Sequence, residues 1–124
     1  MPRTGDLLIL SREHHAALVL ARKAKKAIAH DDASIAQATI ASIEAYWRDV
    51  MAQHFAKEEQ LLRAEPKKLD EKAIARIFSD HAELEMLCGH TCELEVMERL
   101  QRFADLMVSH VRFEERVIFP QIQI

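Results

Sequence analysis

Apolar residues recur every three or four positions along four stretches of the chain. This spacing places the apolar side chains on one face of an α-helix. The first stretch predicts a helix from about Leu7 to Ala29, and the second a helix from about Ala33 to Ala64, which stops before Pro66. The predicted inward faces of these two helices comprise Leu7, Leu10, Ala17, Leu18, Ala21, Ile28, Ile40, Ile43, Trp47, Val50, Met51 and Leu61.

Capping residues mark where the predicted helices begin. Asp31 or Asp32 can cap the second helix, and Asp70 is a good N-cap for a third. Pro120 marks the predicted end of the fourth helix. The inward faces of the third and fourth helices comprise Ile74, Ile77, Phe78, Leu84, Leu100, Phe103, Leu106, Met107, Phe113 and Val117. Four amphipathic helices with short connections predict an all-α protein, an up-down-up-down antiparallel four-helix bundle, as a single domain over residues 1–124.

The composition supports helices and narrows the class of protein. Only two glycines and three prolines occur among 124 residues, and 49% of the residues are hydrophobic, enough for a core without disulfides. A net charge of −3 gives no electrostatic case for nucleic acid, and no stretch approaches the roughly 20 apolar residues of a membrane span. The apolar run at residues 7–10 is too short for a signal peptide. With two cysteines, these features predict a cytoplasmic protein.

Histidines and glutamates spaced four residues apart lie on the inward faces. His54 with Glu58, His81 with Glu85, and His110 with Glu114 each stack on one side of a helix. In the first helix, His14 lies on the apolar face, whereas His15 is rotated about 100° away. We take His14 as the inward histidine and keep His15 as an alternate.

Side chains of one site must lie at one level of the bundle. His14 and His54 are equidistant from the first predicted turn, and Glu58 and His81 from the second. A third turn at Gly89-His90-Thr91 would leave His81 and His110 roughly 15 Å apart in depth. The third helix is therefore predicted to continue past Gly89 to about Glu93, with the turn at residues 94–96.

A buried histidine or carboxylate without a partner costs a few kcal/mol or more. Four histidines and three glutamates in one layer do not satisfy each other without a central cation, so we predict that they bind metal. Imidazole and carboxylate ligands suit iron, manganese or zinc, and glutamates inside a bundle can bridge two ions. The prediction is a dinuclear site, with two oxo- or hydroxo-bridged iron ions in preference to manganese or zinc. Its predicted ligands are His14, His54, Glu58, His81, Glu85, His110 and Glu114.

The same motifs occur in both halves of the chain. Glu13-His14 is echoed by Asp80-His81, and the pattern His-x-x-x-Glu-Glu occurs at residues 54–59 and 110–115. With Leu10-Ser-Arg-Glu-His-His and Phe119-Pro120, these motifs resemble the hemerythrin-like (HHE cation-binding) domains over residues 7–120. The resemblance implies that the four histidines are terminal ligands of two irons and that Glu58 and Glu114 bridge them.

The sequence departs from oxygen-carrying hemerythrins in two places. Glu85 stands where those proteins have a second histidine, and Glu114 and Glu115 lie four and five residues after the last histidine, where they have aspartate at five. A more anionic site favours ferric iron and weakens reversible oxygen carriage. The resemblance therefore implies a protein that binds or senses O2, NO or the iron or redox state. The alternative is a di-iron enzyme that acts on peroxide or NO, or that repairs nitrosative or oxidative damage to iron centres.

Several residues near the predicted site have a second interpretation. Glu85 is either a ligand or a hydrogen-bond acceptor, and we place Glu59 and Glu115 outside the ligand set. Cys88 and Cys92, four apart on the predicted third helix, are either a redox pair or small buried side chains, and we favour the second. The small ligand is predicted to be O2, NO or peroxide, and a homodimer is possible for a bundle of this size.

Overall fold

The computed structural model describes residues 3, 5–64 and 69–122, and in it four long helices lie side by side. Two of them contain a π-helical segment, a stretch where backbone hydrogen bonds reach five residues back. The helices are α1 (Gly5–His30), α2 (Ala33–Tyr46, the π segment Trp47–Met51 and Ala52–Ala64), α3 (Glu71–Cys88) and α4 (Val96–Phe113, the π segment Glu114–Ile118 and Phe119–Ile122).

The helices form the predicted four-helix bundle. α1 packs most extensively along α4 and also against α2, while α3 packs against α2 and α4. Asp32 caps α2, since its carboxylate accepts a hydrogen bond from the Ile35 N–H at 3.1 Å. Asp70 is the N-cap residue of α3, as predicted. Pro66, which was predicted to follow the end of α2, lies outside the described residues.

The π segment of α4 shifts the inward face by one residue. The Phe119 N–H bonds to the carbonyl of Glu114, five residues earlier, so one extra residue is accommodated in the turn. Val117, predicted to face inward, is 40% exposed, and Ile118 is buried in its place. The prediction that Pro120 marks the end of the helix was also wrong, because Phe119–Ile122 is helical. Proline lacks the backbone N–H that would donate to an earlier carbonyl, but the chain stays helical for two residues beyond Pro120.

The third helix ends earlier than predicted. α3 stops at Cys88, and Gly89 already has extended backbone angles. The buried Arg99 of α4 explains this end: its Nε donates to the carbonyl of Leu87 at 2.7 Å and its Nη2 to that of Gly89 at 2.8 Å. These bonds satisfy carbonyls that a longer helix would have used. The chain therefore passes from the end of α3 to the start of α4 through residues 89–95, and not through a tight turn.

Two apolar clusters occupy the two ends of the interior. The larger includes Ala17, Ile43, Leu84 and Phe103, and the smaller includes Leu7, Leu10, Leu62, Leu69, Ile77, Ile118 and Phe119. His14 falls between Leu10 and Ala17 on α1, so its level separates the clusters. None of the helices in the described part of the chain has the length and apolarity that a bilayer span needs.

Candidate metal centre

Six of the seven predicted ligands meet in the interior. They form two groups whose ligand atoms all lie within 4.8 Å of one another, and both groups contain Glu58 and Glu114. Each of the six residues is at most 4% exposed. The first group is His14, His54, Glu58 and Glu114, and the second is Glu58, His81, His110 and Glu114.

Glu58 turns one carboxylate oxygen toward each group. Its Oε2 lies 3.1 Å from His14 Nε2 and 2.8 Å from His54 Nε2. Its Oε1 lies 2.9 Å from His81 Nε2 and 4.0 Å from His110 Nε2. A carboxylate that divides its two oxygens between two sets of imidazoles has the arrangement of a ligand that bridges two cations.

Glu114 approaches both groups from α4. Its Oε1 lies 2.9 Å from His14 Nε2 and 3.0 Å from His110 Nε2, and its Oε2 lies 3.9 Å from His81 Nε2. The π segment begins at this residue, and π-helical turns are frequent at functional sites. Glu58 and Glu114 therefore face each other across the layer, with two histidines on either side.

Two atoms at the centre make no hydrogen bond within the described residues. They are His110 Nε2 and Glu114 Oε1, which are buried and 3.0 Å apart in an orientation that does not satisfy hydrogen-bond geometry. Unpaired buried polar atoms are rare in proteins and call for an explanation. Both atoms belong to ligand types that suit a divalent or trivalent cation, so the residues present fit a bound metal.

Each histidine also has a carboxylate on its outward side. The Nδ1–H of His14 donates to Glu115 at 2.7 Å, and that of His54 to Glu13 at 2.9 Å. Such pairs fix the ring orientation, leave Nε2 free for a metal and make the ring more basic. His81 donates in the same way to Glu59, and His110 to Asp80, at 2.9 and 3.0 Å.

Sequence reasoning missed two of these outward carboxylates. Glu13 and Asp80 were noted as parts of a repeated motif, but no role was predicted for them. Glu59 and Glu115 were placed outside the ligand set, which agrees with their positions here. The sequence did contain a signal for these four outward carboxylates, because each directly precedes or follows a predicted ligand. A neighbour on a helix is turned by about 100°, so it points away from its own ligand and toward the next helix.

The structure does not bring the seventh predicted ligand to the centre. Glu85 belongs to neither group, and it is exposed. The inward face of α3 passes through His81 and Leu84, which is fully buried. Glu85 is turned about 100° from Leu84 and points out of the bundle. His15, the alternate to His14, is also exposed, whereas His14 is buried, with only 2% of its surface exposed.

The two cysteines do not share a helix. Cys88 is the last residue of α3 and is buried, whereas Cys92 lies in the following connection and is half-buried. The prediction of a pair four apart on one helix was therefore wrong, because the helix ends before Cys92. Both thiols are free, and burial raises the pKa of Cys88 to about 12. These features agree with the interpretation of Cys88 as a small buried side chain.

Aromatic rings cover the histidines on two sides. The Phe55 ring stacks on His81 with a centroid distance of 3.9 Å and meets His54 and His110 edge-on at 5.7 Å. The Phe119 ring stacks on His14 at 5.3 Å. These contacts hold the imidazoles in place and keep water away from them.

In the metal-free protein, the central glutamates hold protons on three of the histidines, His14, His81 and His110. Burial lowers the pKa of His14, but its contacts with the carboxylates of Glu114, Glu115 and Glu58 outweigh this effect and raise the pKa to about 11. Burial likewise lowers the pKa values of His81 and His110. Glu114 and Glu58, joined by Glu59 for His81 and by Asp80 for His110, raise these pKa values to about 10 and about 9. Protons thus occupy the positions where a metal would bind, and metal binding must release them.

These shifts predict how the stability of the metal-free protein depends on pH. An unfolded histidine has a pKa of about 6.5, so the raised folded values contribute stability in full below pH 6.5. That contribution is lost as the pH rises from about 6.5 through the folded pKa values of about 9 to 11. We expect the urea midpoint, measured with excess chelator, to fall between pH 6.5 and pH 9. A His15→Gln variant should show the same fall, and a flat or rising midpoint would contradict the prediction.

One family model matches the chain over almost its whole length. It is described as Hemerythrin HHE cation binding domain, and it matches residues 5–122. No curated protein and no solved structure matches the chain in the corresponding searches.

Proposed function

The chain belongs to the hemerythrin HHE cation-binding family, and from this premise we propose that it holds two iron ions and binds or senses O2, NO or the iron or redox state. The observation that carries the proposal is the pair of ligand groups that share Glu58 and Glu114. One ion would be held by His14 and His54, and the other by His81 and His110. Both carboxylates would serve both ions.

The type and number of ligands favour iron. Each group offers two imidazoles and two carboxylates and contains no thiolate, a donor set that suits non-haem iron. Structural zinc sites are closed by four ligands and favour cysteine and histidine. Iron accepts more than four ligands, so a group of four leaves positions for a small molecule. A pair of irons supplies redox chemistry and affinity for diatomic ligands when it is bound.

The surrounding residues control what can reach the centre. A cleft of about 230 Å³ borders Glu13 and His54, and a second of about 390 Å³ borders Phe55, His81 and Glu85. The ligand residues are almost fully buried, so these clefts admit only small molecules toward the histidine edges. That supports a diatomic ligand or peroxide as the partner of the centre.

The test begins with metal content and the visible spectrum. Protein purified without added metal, and protein reconstituted anaerobically with ferrous iron, are analysed for metal per chain. We expect about two irons per chain and near-ultraviolet absorption that bleaches on reduction. Absence of iron after reconstitution would overturn the proposal.

Ligand titration then separates the kinds of function. A binding or sensing protein takes up O2 or NO in a fixed ratio to the centre and changes its spectrum once. Repeated turnover of peroxide or NO at each centre would indicate an enzyme and would contradict the binding proposal. A Glu85→Gln variant tests the remaining predicted ligand, and unchanged iron content would place Glu85 outside the site.

A further inference from the structure

A groove on the outer side of α1, α3 and α4 collects basic side chains. Its volume is about 470 Å³, and four cationic side chains line it against one carboxylate, Asp105. The chain as a whole carries a net charge of −3, so this positive region is local. We call it the basic groove, and its cationic residues are Lys25, Arg76, Arg112 and Arg116.

Two of these cations form no ion pair within the described part of the chain. Arg112 and Arg116 are exposed, and neither forms an ion pair with the residues that the structure describes. Lys25 is 3.8 Å from Asp105, and both are more than half exposed, so that pair is weak. The groove therefore presents positive charge to the solvent.

Arg76 connects the groove to the metal centre. Its guanidinium lies 4.0 Å above the Phe113 ring and donates to the Ser109 hydroxyl at 3.0 Å. Its Nε lies 3.8 Å from the Asp80 carboxylate, which accepts the hydrogen bond from His110 Nδ1 at 3.0 Å. Only two side chains, Arg76 and Asp80, thus separate the groove from a proposed metal ligand.

The other clefts that border the histidines have a different charge. The cleft beside His54 is lined by Asp6, Glu13 and Lys57, and its net charge is negative. The cleft beside His81 is lined by Glu59 and Glu85 and contains no lysine or arginine. The basic groove is therefore the region near the centre where a negatively charged macromolecule is attracted.

We propose that the basic groove docks the acidic surface of a one-electron donor protein that reduces the metal centre. The inference rests on the proposed function, because it assumes redox-active iron. The buried ligands prevent direct contact, so an electron must cross the side chains that line the centre. In each encounter the donor loses one electron and one ferric ion becomes ferrous, without any bond being made or broken. Two encounters reduce the pair.

The experiment measures the salt dependence of reduction. Iron-loaded protein is mixed anaerobically with a reduced plant-type [2Fe–2S] ferredoxin, an acidic one-electron donor. Docking predicts that the second-order rate constant falls between about 0.01 and 0.1 M salt, where the screening length shortens from about 30 to about 10 Å. Two negatively charged proteins without a docking groove would repel each other, and the rate constant would rise with salt. That outcome would overturn the proposal.

Matched variants locate the effect. We expect the triple variant Arg76→Gln, Arg112→Gln, Arg116→Gln to lose about 10-fold or more of the rate constant at low salt, together with its salt dependence. The double variant Arg112→Gln, Arg116→Gln leaves the partner of Asp80 intact and should lose most of the same rate. The control variant Arg12→Gln, Lys23→Gln, Arg48→Gln removes equal charge outside the groove and should react like the unchanged protein.

A neutral reductant separates docking from a damaged centre. The photochemically generated 5-deazariboflavin radical should reduce the double variant and the control variant at the wild-type rate, because both keep Arg76 beside Asp80. A loss of rate in the double variant would contradict a docking role. Calorimetric titration of metal-free protein with ferredoxin measures docking without iron. If the protein holds no iron but the heat of binding depends on the three arginines, the proposed function fails while docking stands. Equal binding by wild-type and triple-variant protein would refute docking alone.

Discussion

Glu58→Ala is expected to abolish binding of the metal pair and to lower the free energy of unfolding by about 3–5 kcal/mol. Glu58 is 2% exposed and supplies an oxygen to both ligand groups. Burial raises the pKa of Glu58, but its contacts with His14, His54 and His81 outweigh this effect. The net pKa is lowered, so the group is an anion in the fold. Its removal takes their common partner from His14 and His81, whose raised pKa values keep them charged in the metal-free fold.

The measurement is metal content per chain with urea unfolding in the presence and absence of chelator. In the wild type, metal at a thousand times its dissociation constant adds about 4 kcal/mol of stability, which chelation removes. The Glu58 variant should show neither the metal nor the difference. Glu85→Gln is the matched control, since it alters an exposed carboxylate outside both groups. Two metals per chain in the Glu58 variant would contradict the shared-carboxylate geometry.

Phe55→Ala is expected to cost about 3–5 kcal/mol of stability and also to expose the centre. The ring is 4% exposed, stacks on His81 and meets two other histidines edge-on. Its loss leaves a cavity beside three imidazoles, so water and chelator reach them sooner. We expect metal to be removed by a chelator about 10-fold faster or more, in line with the effect of disturbing residues that orient ligands.

Phe103→Ala is the control that separates the loss of stability from the faster loss of metal. Phe103 is 1% exposed and belongs to the larger apolar cluster, so its truncation costs a similar stability. Within the part of the chain that the structure describes, the Phe103 ring stacks on no histidine, so metal should leave the Phe103 variant at the wild-type rate. Equal rates of metal loss in the two variants would show that Phe55 acts on stability alone.

Helical periodicity predicted which histidines face inward. It did not predict which apolar residues face inward in and near the π segments. In α2, Val50 and Leu61 were expected to face the core together with Met51; here Met51 is 1% exposed, and Val50 and Leu61 are half-buried. The same change by one residue exposes Val117 in α4. A regular 3.6-residue period has no way to include an extra residue, and the sequence carries no glycine or proline within these segments to reveal it.

The layer of ligands was predictable because burial of charge restricts the alternatives. Four histidines and several glutamates on apolar faces need partners when buried. This requirement was enough to predict a common site, and six of the seven predicted residues lie there. The end of α3 was not predictable in the same way. Gly89 was a local signal for this end, but equal depth of His81 and His110 favoured a longer helix. The shorter helix is stabilised by Arg99, whose bonds to the carbonyls of Leu87 and Gly89 do not follow from helical periodicity.

The division of ligands between the two halves of the chain has a consequence for the origin of the fold. Residues 5–64 supply three members of the first ligand group and lend Glu58 to the second, while residues 69–122 supply three members of the second and lend Glu114 to the first. Two of the four outward pairs also join the halves, since Glu115 holds His14 and Glu59 holds His81. The other two, Glu13 with His54 and Asp80 with His110, each lie within one half. Two identical hairpins would complete each other's sites in this way. A symmetric dimer of one short gene product is thus a sufficient ancestor, and fusion of two copies would have let each half diverge.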